Sequence, residues 1–169
     1  MEENGSANGF EFVEPTDHEG NTFQYICRVG DVNEVLEALE SVRWTDVLHQ
    51  YDFCGRQVTH AVAECDQANA KSKIEILWTM GADINAKELT MGNTLLHLAI
   101  LTRNYLLAEW ICQTPGFDVE AVNYLQDTAY HIAYRIGDLD MMEILRTNGA
   151  VCDDPSDESD APSEILDLN

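Results

Sequence analysis

The sequence predicts an all-α solenoid of about four helix-turn-helix repeats, and two regularities support that prediction. A pattern of polar loop, short helix, break and longer helix recurs along the 169-residue chain with a period typical of repeat proteins. Its aligned positions are Tyr25, His60, His97 and His131, spaced 35, 37 and 34 residues apart. The segments IEILWTMGAD (74–83) and MEILRTNGAV (142–151) also share one pattern at an offset of 68 residues, which is two repeat lengths.

The most regular repeat contains the segment from Asn85 to Cys112, NAKELTMGNTLLHLAILTRNYLLAEWIC. A polar loop with Gly92 leads through Thr94 into a first helix, and a break at Arg103 precedes the second helix. Threonine at a helix N-cap accepts a hydrogen bond from an unpaired backbone N–H, which stabilises the helix by about 1 kcal/mol. This repeat is the standard against which the others are compared.

The other repeats depart from this standard at identifiable positions. We expect repeats at residues 18–51, 52–85, 86–122 and 123–151. Tyr25 replaces the histidine of the first repeat, and the segment after Cys65 is three residues longer than its equivalent in the fourth. Gln126 replaces the loop glycine of the fourth. Gly81 and Gly149 end the second helices of the second and fourth repeats, as a helix C-terminus favours.

The two ends of the chain differ from the repeats in composition. Residues 1–17 carry five acids and no Lys or Arg, and residues 153–169 carry seven acids and again no Lys or Arg. Such segments cannot bury enough apolar surface to fold alone. We therefore expect a flexible acidic arm at 1–17 and a disordered acidic tail at 152–169.

Composition narrows the class of partner. The formal net charge is −22, from 9 basic and 31 acidic residues, which argues against nucleic acid and against an anionic membrane surface. A protein partner with a basic surface is the complementary expectation. The N-terminus has no signal-peptide pattern, no apolar run is long enough to span a membrane, and the five cysteines contain no CxxC pair. A cytosolic or nuclear protein with reduced thiols is expected.

The repeated histidines have a structural and a metal-binding interpretation. At one per repeat they lie roughly 10 Å apart, the spacing of packed helices. A single zinc ion needs its ligands at about 2 Å, so these histidines cannot share one. The structural interpretation is favoured: each ring ties neighbouring loops through its nitrogens. No sequence motif of an enzyme is present, so neither a catalytic residue nor a cofactor is expected.

Binding is expected on the face that solenoids form from loop tips and first helices. Several tip residues are apolar where such loops are usually polar. They either contact a partner or pack against neighbouring tips, and the sequence leaves both possibilities open. The candidate contact residues on the tips and in the acidic tail are Tyr51, Asp52, Phe53, Glu88, Leu89, Met91, Tyr124, Leu125, Gln126, Asp153 and Asp154.

The segments GNTLLHLAI and DINAK, with the paired EIL…GA helices, make residues 18–151 resemble the ankyrin repeat family. In size and repeat divergence the chain is similar, more narrowly, to the inhibitor-of-κB-like ankyrin proteins of polydnaviruses, the vankyrins. That resemblance implies a protein that binds Rel/NF-κB transcription factors of an infected host cell. It would block their nuclear entry or DNA binding in the host cytoplasm, with the nucleus as a second location, and suppress immune signalling.

The family also implies how such an inhibitor is regulated. Cellular inhibitors of κB carry a DSGxxS degron and lysines ahead of their repeats, whereas residues 1–17 contain one serine, Ser6, and no lysine. A constitutive inhibitor that signalling does not release is therefore expected. The acidic tail departs from vankyrins, and its ESDAPS segment (158–163) has the serine spacing of a degron but Asp160 in place of glycine. The alternative function is an ankyrin adaptor with an unrelated partner.

Overall fold

The computed structural model describes residues 18–41 and 47–152, with side chains from residue 23 to 40 and from 47 to 152. These residues form helices and connecting turns without a strand, so the predicted all-α class is confirmed. The expected acidic arm, and the expected tail beyond Cys152, lie outside the described residues. The helices are α1 (His18–Val29), α2 (Val32–Ser41), α3 (Val58–Cys65), α4 (Ala70–Thr79), α5 (Leu95–Leu101), α6 (Tyr105–Gln113), α7 (Ala129–Ile136) and α8 (Leu139–Thr147).

The helices form two layers. The first helices α1, α3, α5 and α7 pack side by side in chain order, and the second helices α2, α4, α6 and α8 do the same. Each first helix also packs on the second helix that follows it. This nearest-neighbour packing defines a solenoid.

The core lies between the layers, where small side chains let the helices approach. Cys27, Val62, Ala99 and Ala133 occupy equivalent positions in the four first helices, and each is 0% exposed. Burial raises the pKa of the Cys27 thiol to about 12, against a smaller opposing effect of Lys73. Cys27 is therefore a core residue and not a nucleophile.

Side chains cap the helices where the sequence changes from loop to helix. The Thr128 hydroxyl accepts a hydrogen bond from the His131 amide at 3.3 Å at the start of α7. Asn104 and Asp138 accept from the third residues of α6 and α8, at 3.1 Å each. These caps fix where each helix begins, and therefore how each loop leaves the stack.

The longer segment after Cys65 joins three repeats. Its Asp66 pairs with the Lys73 ammonium at 2.5 Å, and that ammonium donates to the Cys27 carbonyl of the first repeat at 3.0 Å. Gln67 donates to the Thr102 carbonyl of the third repeat at 2.7 Å. Burial alone would raise the pKa of Asp66, but hydrogen bonds from Lys73 and Asn69 outweigh it and hold that pKa below its ordinary value.

Candidate partner-binding face

Three loops ahead of α3, α5 and α7 lie side by side along the stack. We call residues 51–57 the first tip, 87–94 the second tip and 123–128 the third tip. The Leu89 amide donates to the Gly55 carbonyl at 2.8 Å, and the Tyr124 amide donates to the Met91 carbonyl at 2.8 Å. The tips are therefore joined by their backbones into one row. The tip face is this row together with α3, α5 and α7.

The repeated histidines fix each tip to its neighbour. His60 Nε2 lies 3.0 Å from the Ala86 carbonyl, and His97 Nε2 lies 3.0 Å from the Asp127 carbonyl. In each ring Nδ1 accepts a backbone N–H from the residue that caps the same helix, at 3.2 Å. His131 accepts in the same way from Thr128.

This pattern assigns the neutral tautomer with the proton on Nε2, because Nδ1 accepts and Nε2 faces a carbonyl oxygen. Burial lowers the pKa of His60 and of His97, against smaller opposing effects of their hydrogen-bond acceptors. The residues that the structure describes contain no group of three or more His, Cys, Asp and Glu side chains that could hold a metal. The histidine contacts agree with the structural interpretation.

Apolar tip residues pack on the glycine of the preceding tip. A Cβ on Gly92 would lie 2.5 Å from the Tyr124 ring, and a Cβ on Gly55 would lie 2.8 Å from Leu89 Cβ. Both glycines also have left-handed backbones, with φ of +70° and +75°. Gln126 adopts the same conformation at the equivalent position, with φ of 63°, which strains a residue other than glycine.

The same apolar side chains remain largely open to solvent. Phe53 is 95% exposed, Leu125 60%, Tyr124 56% and Leu89 55%. Tyr51 and Met91 are each 41% exposed. Packing against a neighbouring tip and contact with a partner are therefore compatible. The neighbouring tips support one side of Leu89 and of Tyr124 and leave another side open to solvent.

A recess of about 290 Å³ opens between the first and second tips. Met91, Leu98 and Leu101 supply its apolar lining, and Arg56 and Glu64 are among its polar lining residues. Leu101 is 51% exposed, and sequence reasoning missed it as a site residue. The sequence does contain a signal for it. Leu101 aligns with Glu64 and Arg135, the charged residues in the last turns of α3 and α7, so an apolar side chain stands at a position that is charged in the other two repeats.

The charged side chains of the tip face nearly cancel. Residues of the three tips and of α3, α5 and α7 sum to a net charge of −1. The four acids and three bases are Asp52, Glu64, Glu88 and Asp127, with Arg56, Lys87 and Arg135.

Each of these charges has a partner within the chain. Arg56 pairs with Glu64 and, at 3.2 Å, with Asp52. Arg135 pairs with Asp127. Asp127 aligns with Arg56 and Arg135 aligns with Glu64, so the acid and the base have exchanged positions between the two repeats. The Lys87 ammonium donates to the Val122 carbonyl, which directly precedes the third tip, at 2.6 Å.

Asp52 and Glu88 shape the tips from inside. The Asp52 carboxylate accepts from the Cys54 amide at 2.8 Å and the Arg56 amide at 2.9 Å. Glu88 is 4% exposed, and its carboxylate accepts from three amides of its own tip, at 2.6, 2.7 and 3.1 Å. Burial would raise the pKa of Glu88, but these hydrogen bonds outweigh it and lower that pKa. We expected both carboxylates at the contact surface, and the structure turns them inward.

The acidity of the chain is concentrated at its two ends. Residues 1–17 and 153–169 contribute −12 of the net charge of −22. Asp153 and Asp154, predicted as contact residues, lie there and outside the described residues. None of the helices within 18–41 and 47–152 is long and apolar enough to cross a membrane.

Repeated helix pairs joined by loops that project in one row define an ankyrin-repeat protein, and residues 91–121 match the ankyrin repeat family model. Relatives that match along most of this chain identify the family within this class more closely. The chain is 55% identical to I-kappa-B like protein G1 of Microplitis demolitor bracovirus, over 92% of this chain and 90% of that protein. Proteins C1 and F1 of the same virus are 47% and 50% identical, over 93% and 88% of this chain and 91% and 92% of theirs. The chain belongs to the family of viral I-kappa-B like ankyrin-repeat proteins.

Proposed function

We propose that this protein binds Rel/NF-κB transcription factors of the host cell and blocks their nuclear entry or DNA binding. The observation that carries the proposal is 55% identity, over nine tenths of both chains, to a viral protein named as I-kappa-B like. An ordered row of apolar tips supports it, because exposed apolar patches on soluble proteins mark interaction surfaces. The proposed action is stoichiometric binding and not catalysis, in the host cytoplasm.

We further propose that signalling does not release this inhibitor. The chain has three lysines, all in the described repeats. Lys73 is fully buried, and the Lys87 ammonium is held by the Val122 carbonyl at 2.6 Å. Lys71 alone of the three is exposed. Few accessible lysines limit the attachment of ubiquitin, which supports persistence after an immune stimulus.

Competition for DNA tests the binding proposal. A Rel homology dimer is mixed with labelled κB-site DNA, and the purified full chain is added in increasing amounts. We expect the protein–DNA band to disappear at micromolar or lower concentration of the chain. A band that persists at micromolar chain rejects the proposal and leaves the adaptor with an unrelated partner. A dimer of an unrelated transcription factor on its own DNA site is the control and should be unaffected.

A half-life measurement tests persistence. Cells expressing the full chain are stimulated through the immune pathway while protein synthesis is blocked, and the chain is followed beside an endogenous inhibitor of κB. We expect the endogenous inhibitor to disappear and this chain to remain. Equal loss of the two proteins rejects signal-independent persistence. The Lys71→Arg variant then shows whether the exposed lysine is the attachment point.

A further inference from the structure

We propose that the tip face takes an uncharged, apolar segment of its Rel partner and not a basic one, an inference that rests on the proposed function. The face provides exposed rings and aliphatic side chains, and it also contains a recess of about 290 Å³ with apolar lining from Met91, Leu98 and Leu101. Its charged groups are occupied by partners inside the chain. The chemistry that remains available to a ligand is therefore apolar contact and hydrogen bonding with uncharged groups.

The charge argument rests on the tip-face carboxylates. Glu64 and Asp127 each pair with an arginine of the same face. Asp52 and Glu88 hold the tips in shape through backbone amides. A basic partner side chain would have to break one of these pairs before it could form its own. Exchange of one ion pair for another adds little net free energy near a surface, so a basic segment gains little here.

The apolar argument rests on exposure and support. Phe53 is 95% exposed and Leu125 is 60% exposed, one on the first tip and one on the third. Between them Leu89 and Tyr124 are backed by the glycines of the preceding tips, so they meet a partner already positioned. Aromatic anchors on a preorganised surface carry most of the binding free energy in protein interfaces. An apolar segment lying across the three tips covers all four side chains.

Ionic strength separates this proposal from a charge-driven complex. Long-range attraction by the acidic ends, which carry −12, acts on the association rate, whereas close contacts set the dissociation rate. If the tip contacts are apolar, salt slows association and leaves dissociation nearly unchanged. If they are basic–acidic pairs, salt also accelerates dissociation.

The test measures both rate constants of the complex between the full chain and a Rel homology dimer, from about 0.05 to 0.5 M salt. We expect the dissociation rate to change by less than about threefold across this range. We expect the Phe53→Ala, Leu125→Ala double variant to dissociate about ten- to a hundredfold faster than the unaltered chain. Circular dichroism checks that each variant is folded.

A matched control lies on the second helices. Leu106 on α6 and Leu139 on α8 are 73% and 74% exposed, so the Leu106→Ala, Leu139→Ala variant removes comparable apolar surface away from the tips. It should dissociate like the unaltered chain. A dissociation rate that rises tenfold or more with salt overturns the inference, as does a tip variant that behaves like this control. Absence of binding at every salt concentration overturns the proposed function, and the inference with it.

Discussion

The tip face and the two ends of the chain use charge in opposite ways. On the tip face seven charged side chains sum to −1, and each has a partner within the protein. The 34 residues of 1–17 and 153–169 sum to −12 without a single cation. A strongly acidic protein therefore presents an almost neutral, apolar face, and net charge alone would direct attention away from it. The charged side chains of the tip face hold the loops in shape, whereas the acidity of the two ends would act on a partner by long-range attraction.

The largest expected effect tests whether the tips are a rigid, close-packed row. Gly92→Ala forces an alanine into a left-handed conformation and places its Cβ 2.5 Å from the Tyr124 ring. We expect a loss of about 2–4 kcal/mol in the free energy of unfolding, measured by urea denaturation. Gly116→Ala is the control, because φ is also positive there, at +81°, and no atom lies within 4 Å of the added Cβ. Equal losses in the two variants would contradict close packing of the tips.

Acidification should weaken the tip row before it changes the fold elsewhere. Because burial lowers the pKa of His60 and His97, the unfolded chain binds protons at a pH where the folded chain does not. Their contribution is complete above the ordinary histidine pKa of about 6.5 and decreases as the pH falls below it. We expect the free energy of unfolding to fall by about 1–3 kcal/mol between pH 7 and pH 5.

Two variants assign this pH effect. Replacing the seven acids of residues 153–169 with Asn or Gln should leave the loss between pH 7 and pH 5 unchanged, because the ordinary pKa values of Asp and Glu, about 3.9 and 4.3, lie below that range. The His60→Asn, His97→Asn variant should be less stable at pH 7 and should lose less on acidification. If the tail variant instead abolished the pH effect, the acidic ends and not the tip histidines would be its source.

A smaller gain is expected where the third tip departs from glycine. Gln126 has a left-handed backbone, with φ of 63°, and Gln126→Gly relieves that strain. The gain in the free energy of unfolding should be about 0.5–1 kcal/mol, because glycine also has more freedom to lose on folding. A thermal melt with Gln126→Ala as the comparison measures it. A loss of stability in Gln126→Gly would show that the side chain stabilises the tip.

The smallest expected effect is a difference in lysine reactivity, which tests whether the ammonium group on the tip face is held by a partner inside the chain. Brief labelling with an amine-reactive ester, read by mass spectrometry, should modify exposed Lys71 first. Lys87 should react more slowly because its ammonium donates to the Val122 carbonyl, and Lys73 should stay protected while the chain is folded. In urea the three rates should become similar. Equal rates for Lys71 and Lys87 in the native protein would argue against an engaged Lys87.

The fold was predictable from sequence because its information is local and repeated. The spacing of Tyr25, His60, His97 and His131 gives the period, and the Thr94 cap recurs one period later as Thr128. The structural role of the extra residues after Cys65 was not predictable. Asp66 pairs with Lys73, whereas Gln67 donates to a carbonyl of the third repeat. Only the folded stack brings those groups together.

The candidate site was predictable in part. Apolar Leu89 and Tyr124 were recognised because tips are usually polar, but their support by glycines of the neighbouring repeat depends on tertiary packing. Asp52 and Glu88 are predicted contact residues because they lie on the tips, whereas their carboxylates accept hydrogen bonds from backbone amides of those tips. An acid three or four residues before a loop glycine is the signal that was missed, because such side chains bind the backbone of their own turn.

The footprint of a Rel homology dimer on the full chain tests the central claim most directly. Hydrogen–deuterium exchange is followed by mass spectrometry with and without saturating dimer. The tip-face account predicts slower exchange in residues 51–57, 87–94 and 123–128, with the second helices α4, α6 and α8 unchanged. Protection confined to those second helices, with the three tips exchanging as in the free protein, would contradict it.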